Sequence, residues 1–487
     1  MPRMATTAKG MPFLDRYFEI GARNSTLSRE LRGGLATFFT MAYIVVLNPL
    51  ILGSAKDSTG AVLPQAQIAA ATALVAGVVT ILMGVYGRFP LALAAGLGVN
   101  AIVAYDIASK MTWADAMGLV VIEGLLIAVL VLTGLREAIF HSVPAQLKIA
   151  IGVGIGLFLA LIGFVDSGFV TRVPDAAGTT VPVGMGINGV IITWPGMVFA
   201  LGLIGTIILV ARRVKGAILI GIVGTTVLAI IVEAIVNAGP KGGPSGHPGG
   251  WSLNVPAWPQ QAVGVPDLGL LGHFSVLGAW ETAGVAISMM FVFTLMLSDF
   301  FDTMGTMVAV GQEAGAEGKL IGADGMPPRT KEILLVDSIA AAAGGAASVS
   351  SNTSYIESAS GVAEGARTGI ASLVTGVLFL LAMFLSPLVT VVPFEAAATA
   401  LVVVGFLMMA GVRQIDWSDY EIGIPAFLTI VLMPFTYSIT NGIGAGVVSY
   451  VVLKAAKGKF RDVHPLLWIV AVLFVVYFLR GVLTDLI

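Results

Sequence analysis

The chain has 487 residues, of which 57% are hydrophobic and only 11% charged, whereas ordinary soluble domains carry about 25% charged residues. A typical water-soluble fold is therefore excluded. A formal net charge of -2 leaves no basic excess to attract nucleic acid, and with no cysteine there are no disulfides, thiol chemistry or cysteine metal sites.

Residues 1–34 are polar and basic, with Arg3, Lys9, Arg16, Arg23, Arg29 and Arg32. No short apolar core with a small-residue cleavage site precedes the first long apolar block, so a retained cytoplasmic N-terminal segment is expected. Apolar blocks long enough to cross a hydrocarbon core of about 30 Å as helices then cover approximately 35–54, 67–86, 89–107, 117–135, 145–167, 189–211 and 216–238. A membrane β-barrel would instead show short alternating segments. Residues 239–281 interrupt the pattern; they are rich in Gly and Pro and carry Trp251, Trp258 and Trp280, as expected of an extracytoplasmic loop with interfacial aromatics.

Beyond this loop, blocks cover about 283–310, 332–348, 350–369, 370–391 and 394–412. Near the C-terminus, Ile424–Thr440 and Gly442–Ala456 meet at SITNG and read equally as two spans, one broken span or a re-entrant pair. Arg88, Arg136, Lys148, Arg212, Arg213, Lys215, Lys319, Arg329, Lys331 and Arg413 all fall on the side of the N-terminus, which makes that side cytoplasmic. The class is an all-α polytopic membrane protein.

The halves 35–238 and 282–487 repeat. VPAQLKIAIGVGIG from Val143 aligns with VPFEAAATALVVVG from Val392, ending at Gly156 and Gly405; FTMAYIVVLN from Phe39 aligns with FTLMLSDFFD from Phe293, setting Asn48 against Asp302. The offsets, about 249 and 254, nearly agree. With an odd number of spans per half, the second copy crosses the membrane in the opposite sense, the inverted-repeat plan of secondary transporters.

The third block of each half makes a poor helix. FPLALAAGLGVNAIVAY holds Pro90, Gly96, Gly98 and Asn100, and SVSSNTSYIESASGVAEGARTG, from Ser348 to Gly369, is crowded with hydroxyls and acids. Unwound backbone inside a bilayer survives only where protein or a water-filled cavity surrounds it, so paired interruptions point to a central binding site. Asp299 and Asp302, three residues apart, and Glu357 sharpen this. A mid-membrane charge costs at least about 2.5 kcal/mol, so these acids need a cavity, a proton, or a basic partner such as Arg367. Burial favours the neutral carboxyl, which suits proton loading. Tyr355, Thr353 and Ser350 are candidates to line the site or to support close packing. Glu123 and Asp337 suit packing or gating networks. The four histidines fall in loops or at span ends, and no HExxH, P-loop or hydrolytic constellation is present. No metal, cofactor, ATP drive or enzymatic activity is expected.

Several long stretches, among them FEIGARNSTLSRELRGGLATFFTMAYIVVLNP, AAGLGVNAIVAY, SDFFDTMGT, SNTSYIESASGVAEGARTG and IPAFLTIVLMPFTYSI, resemble the adenine/guanine/hypoxanthine permeases of the AzgA type, in the nucleobase–cation symporter-2, or nucleobase–ascorbate, group. The resemblance implies about fourteen spans in a seven-plus-seven inverted repeat. It also implies a core domain from spans 1–4 and 8–11, a gate domain from spans 5–7 and 12–14 that often forms a homodimer, and broken third and tenth spans with short extended stretches. By the same resemblance Asp302, matched through its Asp-x-x-Gly pattern, and Glu357 hold the base, with Asn100 as the third-span asparagine; Tyr355 and Thr353, from the hydroxyl-rich stretch itself, are the further candidates for the substrate site. The coupled proton falls to Asp302, Glu357 or Asp299. The expected activity is inner-membrane import of purine nucleobases by proton symport with alternating access. Uracil, xanthine or an inorganic anion on the same architecture is the nearest alternative, and a channel or intramembrane enzyme a more distant one. One departure stands out: the family usually shows Pro-Gly-x-Gly where this chain has Ala95-Gly96-Leu97-Gly98.

Overall fold

The computed structural model describes residues 12–134, 143–172, 183–186, 189–241, 249–314, 320–322 and 326–484. A short helix α1 (Pro12–Phe18) precedes α2 (Leu27–Met41) and α3 (Ile44–Ser54), which together make the first span. α4 (Gln65–Leu82), β1 (Leu93–Ala95), α5 (Leu97–Ala101), α6 (Trp113–Thr133) and α7 (Ala145–Asp166) follow. A hairpin of β2 (Val170–Arg172) and β3 (Val183–Met185) leads to α8 (Trp194–Ala211) and α9 (Ala217–Val236). The second half contains α10 (Gly278–Thr282), α11 (Val285–Glu313), α12 (Thr330–Ala346), β4 (Asn352–Ser354), α13 (Ser358–Ala363), α14 (Gly369–Ala382), α15 (Phe394–Met409), α16 (Tyr420–Phe435), α17 (Ile439–Ala456) and α18 (Pro465–Thr484). Among the described residues, nine helices are long and apolar enough to cross a membrane.

Local chemistry sets many of the boundaries. Thr112 caps α6 by accepting from Asp115 N at 3.3 Å, and Gly134 ends it at φ +76°, a conformation that glycine reaches without strain. α8 starts at the Thr193 cap with Pro195 in its first turn, later than the apolar block at 189–211 suggests, because the Thr193 hydroxyl accepts from Gly196 N at 3.2 Å and fixes the first turn there. Past residue 420 the ambiguity resolves into three helices. The break falls at Thr436–Ser438, where Tyr437 takes φ +50° and Ser438 accepts from Asn441 N at 3.2 Å. SITNG is thus the start of α17 and not a separator.

Both expected interruptions are real. β1 and β4 pair antiparallel, Leu93 with Ser354, Ala94 with Thr353 and Ala95 with Asn352. α12 ends through Ser348, at φ +57°, whose N–H donates to Gly345 O at 3.1 Å, and Val349 N closes on Gly344 O at 2.9 Å. The ladder continues past both strands, with Gly96 N on Ser351 O and Tyr355 N on Ala92 O, each at 2.9 Å. Thr80 Oγ1 accepts from Leu93 N and donates to Leu93 O, both at 3.0 Å. Backbone groups that would be orphaned in lipid are in this way satisfied within the protein.

The helices pack in two sets. α6 lies on α12, and α14 on α2 and α4; separately, α7 lies on α15 and α16, and α8 on α9. The repeat is visible in the α7–α15 contact, where a Cβ at Gly405 would stand 2.4 Å from Gly156 O and one at Gly156 2.7 Å from Gly405 O. The two aligned glycines let the backbones touch. Leu201, Ile204, Ile208, Ile220 and Val223 of α8 and α9 are exposed, an outer face suited to lipid. The central loop departs from a simple interfacial belt: Trp251 is buried and its indole donates to Glu233 Oε2 at 2.8 Å, while Trp258 stays exposed. A buried indole N–H needs an acceptor, and Glu233 supplies it.

Candidate functional site

A cavity of about 450 Å³ opens where the strand breaks face α7 and α15. Tyr43, Gly96, Leu97, Gly98, Asp302, Thr306 and the run Ser354–Glu357 line one wall, and Gly152, Val404, Met408 and Gly411 the other. Its volume lies within the range of about 300–1,000 Å³ common to small-molecule sites.

Glu357 sits at the N-cap of α13, directly after the extended stretch. Its Oε1 accepts from the Tyr43 hydroxyl at 2.5 Å, a short charge-assisted bond that fixes the carboxylate. Tyr355 lines the cavity with its ring and donates its hydroxyl to Ala95 O at 2.6 Å. Asp302 is exposed on the cavity, close enough to Glu357 for their charges to interact. The Ala95 that replaces the family's proline retains the extended backbone, because the strand pairing and the Tyr355 bond hold it. A Cβ at Gly96 would come within 2.7 Å of Thr353 Cγ2, so that position has room only for glycine unless Thr353 moves.

Of the residues singled out in the sequence, Asp302, Glu357 and Tyr355 come together in the cavity wall. Asn100, Thr353 and Asp299 lie behind it. Asn100 follows the cavity-lining Gly98 by two residues, about 200° around the helix; it is fully buried and neither amide atom has a hydrogen-bond partner. Thr353 bonds Thr303 at 2.8 Å. Asp299 is one turn from Asp302 along α11, is fully buried, and has no hydrogen-bond partner on either oxygen. Ser350 is buried, with φ +68°. Arg367 does not pair with the site acids; its guanidinium donates to Val362 O and Ala366 O, and its backbone N–H to Glu30 Oε1 at 2.8 Å. Asp337 is buried and accepts from Ser354 Oγ at 2.8 Å. Among the described residues no group of His, Asp or Glu is arranged to hold a metal ion.

Sequence reasoning missed Tyr43. FTMAYIVVLN served to align the repeat and to carry the family resemblance, although a tyrosine in that apolar run was itself a signal. Leu97 and Thr306 gave no comparable cue.

Two halves of opposite sense, whose interrupted segments meet at a mainly apolar cavity that holds two acids, define a secondary solute carrier. A model of the Permease family matches residues 28–445, and the chain belongs to that family, within its nucleobase–cation symporter-2 group. It is 38% identical over 470 residues to the guanine/hypoxanthine permease PbuG of Bacillus subtilis, covering 95% of this chain and 99% of that one. To the adenine permease AdeQ of Escherichia coli it is 35% identical over 481 residues, 97% of each chain. Among solved structures, the transmembrane domain of a cyanobacterium bicarbonate transporter, BicA, matches with TM-score 0.56 and 15% identity, over 86% of this chain and 97% of that one. Murine Slc26a9, an anion transporter in the inward-facing state, matches with TM-score 0.58 and 10% identity, over 94% of this chain and 74% of that one. These last two share the fold; among the described residues the cavity here is lined by two acids and by no lysine or arginine.

Proposed function

We propose that the chain imports purine nucleobases by proton symport, as a multi-pass protein of the inner membrane with its N-terminus cytoplasmic. The observation that carries this reading is the pair of carboxylates, Glu357 clamped by Tyr43 and Asp302 near it, on a mainly apolar cavity of about 450 Å³. A neutral flat ring needs an apolar slot and a few placed polar groups. Guanine and hypoxanthine present an N1–H donor beside an O6 acceptor. Glu357 accepts from N1–H through its second oxygen, while first-turn N–H groups of α5 at Leu97 and Gly98, free of intrahelical partners, donate to O6. Asp302 meets another edge of the ring. The coupled proton travels on the acids of this region, Asp302, Glu357 and Asp299. The names borne by the bacterial relatives support the purine class.

Alternating access follows from movement of a core domain, spans 1–4 and 8–11, against a gate domain, spans 5–7 and 12–14. What supports this reading is that the cavity has one wall from α5, α11 and the β4–α13 stretch and the other from α7 and α15. A homodimer joined through the gate domain belongs to the same reading. Uptake of radiolabelled hypoxanthine, competed by a panel of purines, uracil and xanthine with and without a protonophore, tests cargo and coupling together. Competition by purines and collapse by the protonophore are expected. Competition by uracil alone would overturn the cargo, and accumulation indifferent to the protonophore would overturn the coupling.

A further inference from the structure

Behind β4, away from the cavity, three more acids gather. Glu123 of α6, Asp299 of α11 and Asp337 of α12 are 0%, 0% and 2% exposed. Glu123 and Asp299 lie close enough for their carboxyls to interact, and the charge of Asp337 acts on both. Ser351 Oγ approaches Glu123 Oε2 at 3.5 Å, and Ser354 Oγ donates to Asp337 Oδ1 at 2.8 Å. Glu123 Oε1 and both oxygens of Asp299 nevertheless receive no hydrogen bond. The hydroxyl of Thr353, beside Asp299, is engaged with Thr303 at 2.8 Å.

Among the described residues, no cation pairs with this group. The further charge acting on Asp299 from α11 is Asp302, also acidic. Among the described residues, the lysine and arginine ion pairs are made with Glu19, Glu364, Glu332, Glu421 and Asp462, and with none of these acids. Nor is the cluster arranged to hold a metal ion. Ionised carboxylates only accept hydrogen bonds, whereas a protonated carboxyl also donates. One proton placed between Glu123 and Asp299 therefore removes a charge and supplies the missing donor in one step.

We propose that Glu123 and Asp299 together hold the transported proton, at a site separate from the base cavity. Asp337 is the charged neighbour that favours its retention. The proton reaches the pair from the cavity by way of Asp302, one helical turn from Asp299, and moves as H⁺ between carboxyl oxygens with no other bond changing. Base and proton sites meet at β4, whose Thr353 and Ser354 bond the proton side while the residues that follow, Tyr355 to Glu357, line the cavity. This assignment rests on the proton-symport reading.

The test uses the full chain in proteoliposomes with an imposed pH gradient, acidic outside, and labelled hypoxanthine. If the wild type fails to accumulate base, the symport reading itself falls. Given wild-type accumulation, Glu123→Gln and Asp299→Asn are each expected to lower it about tenfold or more, while hypoxanthine affinity in detergent changes less than about threefold. Wild-type-like accumulation in either variant would overturn the proposal. So would an equal collapse of affinity in protein that remains monodisperse, since that would place the pair in the base site. Glu123→Asp, which keeps a titratable carboxyl, should recover accumulation; a Glu123→Asp protein that binds base and fails to accumulate it counts against the proposal. Infrared difference spectra of the wild type provide a readout free of folding effects: a protonated-carboxyl band should respond to hypoxanthine. Its absence from the wild type, or its persistence unchanged in Asp299→Asn, would contradict the assignment.

Discussion

Replacing Tyr43 by Phe removes one oxygen and little else. The side chain is 1% exposed, so the ring keeps its packing while Glu357 Oε1 loses its 2.5 Å donor. A hydrogen bond to a charged group contributes about 1.5–3 kcal/mol, and each 1.4 kcal/mol is about tenfold in binding. If Tyr43 positions Glu357 for the base, hypoxanthine affinity should fall about 10- to 100-fold, at the lower end if water from the cavity replaces the hydroxyl. The assay is equilibrium binding of labelled hypoxanthine to purified protein, together with the KM for uptake. A double-mutant cycle then separates acting through Glu357 from acting independently. Tyr43→Phe should add less than about 0.5 kcal/mol on a Glu357→Ala background, which leaves the hydroxyl no acceptor there. Unchanged affinity in the single variant, or full additivity in the cycle, would refute the reasoning.

Glu357→Ala should abolish purine uptake while leaving protein in the membrane; normal uptake in that variant would remove Glu357 from the site. Asp302→Asn should damage affinity or coupling, and pH-dependent accumulation at wild-type levels would remove Asp302 from the mechanism. Gly405→Ala places a methyl 2.4 Å from Gly156 O and should destabilise the protein by about 1–3 kcal/mol, seen as a lower unfolding temperature in detergent; no change would mean that α7 and α15 part freely. In the loop after α3, Asp57 accepts from Thr59 N, Thr59 Oγ1, Ala61 N and Trp113 N at 2.9, 2.6, 2.9 and 3.1 Å. Burial alone would raise its pKa, but these hydrogen bonds together outweigh burial and hold it below the usual 3.8. A depressed folded-state pKa gives stability that is complete above the unfolded value and lost as pH falls through the folded one. The advantage of wild type over Asp57→Asn, about 1–3 kcal/mol, should be full at pH 7 and shrink below about pH 3.8; a difference that persists in acid would contradict this.

The candidate site was legible in unequal parts. Gly96, Gly98 and the hydroxyl-rich run from Ser348 stand out because helices in lipid rarely tolerate them, and both segments do break into short strands. Asp302 and Glu357 stand out because charge is expensive in a bilayer. Tyr43 was hidden because its partner lies 314 residues away. Asn100 was conspicuous in sequence as a polar group in an apolar run, but that run does not say which way the residue faces, and α5 turns it behind the cavity wall. Glu123 and Asp337 read as packing groups until the fold set them beside Asp299.

The apolar blocks, the breaks in the third segment of each half, and the repeat follow from the sequence alone, because burying a side chain or exposing a peptide group in lipid is a local energy that each stretch reveals by its own composition. Which acids share a hollow, which hydroxyl steadies Glu357, and how the two matched glycines bring α7 against α15 were decided only by the tertiary structure. Those outcomes depend on the rotation of each helix about its axis and on partners hundreds of residues distant, and no local run of residues encodes either.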